Sequence, residues 1–188
     1  MSLTPPISAD DVIAFWREAG PKKWFKKDVG FDEVIRSRFE PLHQAASRGE
    51  LVDWARTPIG ALALVILLDQ FPRNLYRGSA HAFATDALAR SVAGHAVDAG
   101  FDLEVDASLR PFFYMPFEHS ERMEDQDRSV ALFRAIKDET GEEGFLPWAV
   151  AHRDIVARFD RFPHRNTCLG RRTTPEEQAF LDEGGFSG

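Results

Sequence analysis

The sequence predicts an all-α fold. Apolar residues recur at spacings of three and four along most of the chain, and helix-capping and helix-stopping residues bound those stretches. Alternating runs of Val, Ile, Thr and Tyr that would mark strands are missing. About seven or more packed helices are expected.

Ser8 N-caps the first helix, with Asp10 and Asp11 favoured in its first turn by the helix dipole. Val12, Ile13, Trp16 and Ala19 share one face, and Gly20-Pro21 ends it. Phe31, Val34, Ile35, Phe39 and Leu42 carry the helical period over residues 28–47, where Pro41 should kink or break the helix. Thr57-Pro58 caps the third helix, which is apolar nearly all round and should be central. It should stop at Phe71, because Pro72 disfavours helical backbone in the residue before it. Ser79 is read as the cap of a helix to residue 99, with Gly100 just past its end. Residues 101–109 read as a loop and 111–116 as a short apolar segment leading to Ser120, the expected cap of a helix to residue 137. A turn at 140–144 leads to a helix over 146–159 that stops before Pro163. Thr174-Pro-Glu-Glu177 is a capping box opening a last helix over 175–183.

The 188 residues suit a single domain over 1–188, with no linker or low-complexity stretch dividing it. Apolar residues at 44% and charged residues at 28% exclude a disordered chain. The net charge of −7 argues against a nucleic-acid partner. The longest apolar run, residues 59–68, is half what a membrane span needs, so no membrane partner is expected. One cysteine, Cys168, forms no disulfide framework; with no secretory signal at the start, a cytoplasmic location is expected. Phe outnumbers Tyr by 16 to 2, so most rings should be core, as should Trp16, Trp24, Trp54 and Trp148.

The most informative feature is a near-repeat. Asp69-Gln-Phe-Pro-Arg-Asn74 recurs as Asp160-Arg-Phe-Pro-His-Arg-Asn166, and Gly78 and Gly170 follow the two Asn residues at the same distance. Both copies read as an apolar helix, a Phe-Pro stop, an Arg-Asn turn and a Gly turn. Residues 152–172 hold six Arg and two Asp, a local surplus of four positive charges in an acidic chain. Arginine's planar fork suits bidentate capture of carboxylate or phosphate.

These segments, with Phe113-Tyr-Met-Pro-Phe-Glu-His-Ser-Glu121, Phe15-Trp16, Trp24-Phe25 and the closing capping box, resemble the signatures of the bacterial domain of unknown function 924 family over nearly the whole chain. The resemblance implies an all-helical fold similar to tetratricopeptide-like hairpins and implies no reaction. Asp160 departs from it, standing where Gly often appears, and Phe117 and Glu118 fall in a variable part.

Several chemistries are set aside. One Cys cannot supply a structural zinc site, His-Glu-x-x-His is absent, and Glu40 and His43 form one Glu-x-x-His where a di-iron bundle needs two. There is no nucleophile elbow, phosphate loop or dinucleotide fingerprint, so no cofactor is assigned.

The leading expectation is a pocket for a small anionic molecule where the two Phe-Pro-Arg-Asn loops meet the His119 segment. Arg73, Arg77, Arg161, Arg165 and Arg171 would supply charge, with Asp69 beside them. Asn74 and Asn166 would shape the loops, and His119, Glu121, His152 and His164 would be the acid/base groups if chemistry occurs. Three readings compete with it: a helical scaffold for a peptide or protein partner, a hydrolase using His119 with Glu121 or Cys168, and an internal polar network that fixes helix ends.

Overall fold

A computed structural model describes residues 7–186, and every regular element among them is helical. The chain divides at residue 117, with 78–80 grouped with the later part, into two compact units.

In the first unit, α1 (Ala9–Ala19) begins with a full capping box, in which Ser8 Oγ accepts from Asp11 N–H and the Asp11 carboxylate accepts from Ser8 N–H. A short turn of helix, α2 (Pro21–Trp24), follows Gly20 directly. Asp28 caps α3 (Val29–Ser47), which runs through Pro41 without a break. Proline removes one backbone bond there, but Phe31, Ile35, Phe39, His43 and Ala46 bury a continuous face on both sides of it. Tertiary packing of that face outweighs the local loss.

Thr57 caps α4 (Pro58–Val65), whose residues from Gly60 to Val65 are all buried. The helix packs against α1, α6 (Asp86–Asp98) and the 3₁₀ turn Val52–Arg56. Gly60 is required by that last contact, since a Cβ would collide with the Trp54 carbonyl.

The expected stop at Phe71 is not made. Helical backbone continues through a π turn, Ile66–Gln70, into α5 (Phe71–Leu75). Pro72 would crowd the carbonyl four residues back, and the wider turn, closed from Phe71 N–H to the Ile66 carbonyl, relieves it. Ser79 does not cap a long helix either. A 3₁₀ turn, Ala80–Phe83, comes first and α6 starts at Asp86. Gly100 has φ 77° and ends that helix as expected. Trp16, Trp24, Phe31, Phe71 and Phe112 form one buried ring cluster in this unit.

The short helix α7 (Met115–Glu118) spans the point of division. In the second unit, α8 (Met123–Thr140) starts later than Ser120, whose hydroxyl donates to the Asp125 carboxylate and accepts from Arg122 N–H just before the helix. It packs along α9 (Leu146–Phe159). The end of α9 is Asp160 at φ 57°, the one non-glycine residue with positive φ among those described. That left-handed conformation is the physical reason a glycine suits this position. A 3₁₀ turn, Pro163–Arg165, follows, and α10 (Pro175–Asp182) opens on the predicted capping box. Ile155, Val156 and Phe162 make a core against which Phe159, Phe180 and Phe186 pack. Trp148, expected in the core, is 57% exposed, as is Phe25 at 55%. No helix among the described residues is long and apolar enough to cross a membrane.

Candidate functional site

The two cassettes lie in different units and fold differently. In the first, three carbonyls of the π turn accept from side chains. His43 Nδ1 donates to Leu67 O at 2.8 Å, Thr85 Oγ1 to Leu68 O at 2.6 Å and Arg73 Nη1 to Asp69 O at 2.6 Å. The Glu-x-x-His pair is thereby accounted for: His43 braces the turn, while Glu40 accepts from Arg36 and Tyr76. Burial holds the His43 imidazole below its ordinary value.

Arg73 also grips Asp86 with both guanidinium nitrogens, at 3.0 and 3.1 Å, and lies 3.2 Å from the fully buried Asp69 carboxylate. Asn74 and Arg77 share Asp32: the amide donates at 2.7 Å, and the guanidinium at 2.6 and 2.9 Å. Asn74 is helical and forms no turn. Gly78, at φ 74°, supplies the turn. Beside this pair is an open cleft of about 240 Å³, lined by Val29, Asp32, Glu33, Arg36, Asn74, Leu75 and Arg77.

The second cassette gathers most of its candidates on one residue, the fully buried Phe162. Its N–H donates to Glu121 at 2.8 Å, its carbonyl accepts from Arg171 at 3.1 Å, and its ring meets His152, His164 and the Arg165 guanidinium. Arg171 also binds Glu121 through two nitrogens at 2.7 and 2.9 Å. Burial pushes the Glu121 carboxyl up, but Arg171, the Phe162 amide and Arg165 outweigh it and hold it below the usual carboxylate range. Arg165 donates to the His119 carbonyl at 3.0 Å. Arg161 grips Glu177 through two nitrogens at 2.5 and 2.8 Å, and Asn166 adds a third donor at 3.2 Å. Asn166 is right-handed (φ −56°), so Gly170 alone supplies the left-handed turn. The positive surplus read from this stretch is offset within the unit: Arg153 meets Asp127, Arg158 Glu176, Arg161 Glu177 and Arg171 Glu121.

For the hydrolase chemistry raised above, both Glu121 oxygens are engaged by Arg171. The half-buried Cys168 thiol donates to the Arg165 carbonyl at 3.2 Å. His152 is paired instead with Glu118, Nδ1 to Oε1 at 3.1 Å, and both residues are buried. Sequence reasoning passed over Glu118. A lone carboxylate closing an aromatic run, Phe112 to Phe117, was the available signal, because a buried acid needs a partner. Asp32, Asp86 and Glu177, the counter-charges of the cassettes, were missed as well. So was the buried set in which Tyr114 donates to Asp102 at 2.6 Å and accepts from Arg110 at 2.7 Å.

The fold and these sites define a class of all-helical protein whose loops are held by arginine–carboxylate clamps. The chain belongs to the family described as bacterial protein of unknown function (DUF924), whose model matches residues 12–185. It is similar to the solved structure of a protein of unknown function from Agrobacterium tumefaciens, at 49% identity over 94% of this chain and 97% of that one, with a TM-score of 0.89. No curated protein matches the chain.

Proposed function

We propose that the protein binds a small anionic molecule that also carries an ammonium group, such as an acidic amino acid, in the cleft beside the first cassette. The observation that carries this reading is the lining of that cleft, which includes the predicted site residues Asn74 and Arg77 with the partly exposed Arg36 and the exposed Glu33. Arg36, 40% exposed, supplies the guanidinium for a carboxylate, while Arg77 is held on Asp32 by two nitrogens and contributes charge to the cleft. Asp32 and Glu33 balance them, which favours a ligand bearing both charges over a bare anion. In the second unit, the internal pairing of Arg161 and Arg171 supports a clamp role for these residues, with Asn166 shaping the loop.

The test is calorimetric titration of the chain with glutamate, glycine and inorganic phosphate. Glutamate is expected to bind more tightly than phosphate, and Arg36→Ala to weaken it about tenfold, the loss of one charge-assisted contact. Absence of binding by all three probes, or glutamate binding that is unchanged in both Arg36→Ala and Asn74→Ala, overturns the reading.

A further inference from the structure

In the second unit the ring of Phe186 lies edge-on to two imidazoles, with centroids 4.4 Å from His152 and 5.1 Å from His164. The same two imidazoles flank Phe162, at 5.5 and 5.6 Å. Ile155 and Val156 belong to the same cluster, and the Arg165 guanidinium sits 4.6 Å over the Phe162 ring. One aromatic ring thus fills a box with aromatic and aliphatic walls and a cation close by.

The walls are held independently of the ring they enclose. His152 Nδ1 is 2.8 Å from the Trp148 carbonyl and 3.1 Å from a Glu118 oxygen. Both are acceptors, so Nδ1 carries the proton, and the imidazole is fixed in tautomer and orientation from two sides. Phe162 is pinned at its N–H by Glu121 and at its carbonyl by Arg171.

The occupant is held far less firmly. Phe186 is only partly buried, whereas Phe162 is fully buried. It follows Gly184, at φ 84°, and Gly185, whose amide donates to the Phe180 carbonyl at 2.9 Å. A Cβ at position 185 would run into the Phe180 carbonyl and ring, so the joint needs glycine. The ring therefore hangs on a two-glycine joint anchored one residue before it.

We propose that Phe186 is a displaceable plug, and that the slot between His152, His164 and Phe162 is a binding site for the ring of a small aromatic carboxylate. The preformed rings select an aromatic group, and the Arg165 guanidinium selects the negative charge. The plug lowers apparent affinity by the fraction of time it occupies the slot, so ligand binding and release of residues 184–186 are coupled. The proposal is independent of the first-unit cleft.

The test uses the full chain and Phe186→Ala, with benzoate, cyclohexanecarboxylate and benzyl alcohol as probes and the His152 and His164 ring resonances as readout. Benzoate is expected to bind Phe186→Ala about tenfold more tightly than the unaltered chain and to shift both imidazoles. It should also exceed the other two probes, which lack the ring or the charge. A folded Phe186→Ala chain that does not bind benzoate, or that binds cyclohexanecarboxylate equally well, overturns the proposal. Should Phe186→Ala not fold, Gly185→Ala keeps the ring and disturbs only its joint. Benzoate affinity unchanged in that variant overturns the proposal equally, and a gain supports it.

Discussion

Replacing Glu177 by Gln tests whether the arginine–carboxylate clamps stabilise the loops that carry the candidate residues. The Glu177 side chain is 3% exposed and accepts from Arg161 twice, from Asn166 and from the Thr174 amide at 2.7 Å. Arg161 beside it, with the Thr174 amide, outweighs burial and holds its carboxyl at about 2, against the usual 4.5. That difference corresponds to about 3 kcal/mol at neutral pH. Arg161 is 27% exposed, so water screens the pair and keeps the uncovered guanidinium solvated, and about 2 kcal/mol is the expected loss. Glutamine keeps the shape and can still accept from the Thr174 amide, so the loss reports charge. The folded-state value is depressed, so the stabilisation is fully present above about pH 4.5 and disappears as pH falls through about 2. Urea denaturation of both chains across that range measures it. A difference below about 0.5 kcal/mol at neutral pH, or one of equal size at the acid end, would refute the reasoning.

Three other outcomes are expected. Asp160→Gly, at the left-handed end of α9, should raise the denaturation midpoint by about 0.5–1 kcal/mol in stability terms; an unchanged or lowered midpoint contradicts the strain argument. Gly60→Ala should cost about 2 kcal/mol or more, because the new methyl meets the Trp54 carbonyl between two packed elements; a neutral result would mean that the contact yields. His43 should titrate below its usual 6.5 by proton NMR. It stays neutral in the folded chain at a pH where the unfolded chain takes up a proton, so stability should fall as pH drops below about 6.5, and a midpoint at or above that value counts against the burial argument.

Local chemistry was legible where one turn of chain contains all its partners. The Thr174–Glu177 capping box, the Ser8 and Thr57 caps and the left-handed Gly100 needed only neighbours a few residues away. The two cassettes looked alike for the same reason, since Phe-Pro and Asn-Gly spacing is local. Their different outcomes were not local. Pro72 ends nothing, because His43 and Thr85, from α3 and from the turn before α6, supply donors to two carbonyls of its π turn. The second copy takes the other course: α9 ends at Asp160 with left-handed backbone, and Arg171 reaches the Phe162 carbonyl two residues on.

The sequence alone determined the all-helical class and the starts of α1, α3, α4, α9 and α10. It also marked Asp160 as a departure from the family pattern. Only the tertiary structure decided what the arginines do. Arg77 meets Asp32 across 45 residues and Arg171 meets Glu121 across 50. A side chain's charge is written in its residue type, but the counter-charge that answers it depends on which distant helices pack together. The stretch that reads as a positive patch in one dimension is therefore largely a set of matched pairs in three.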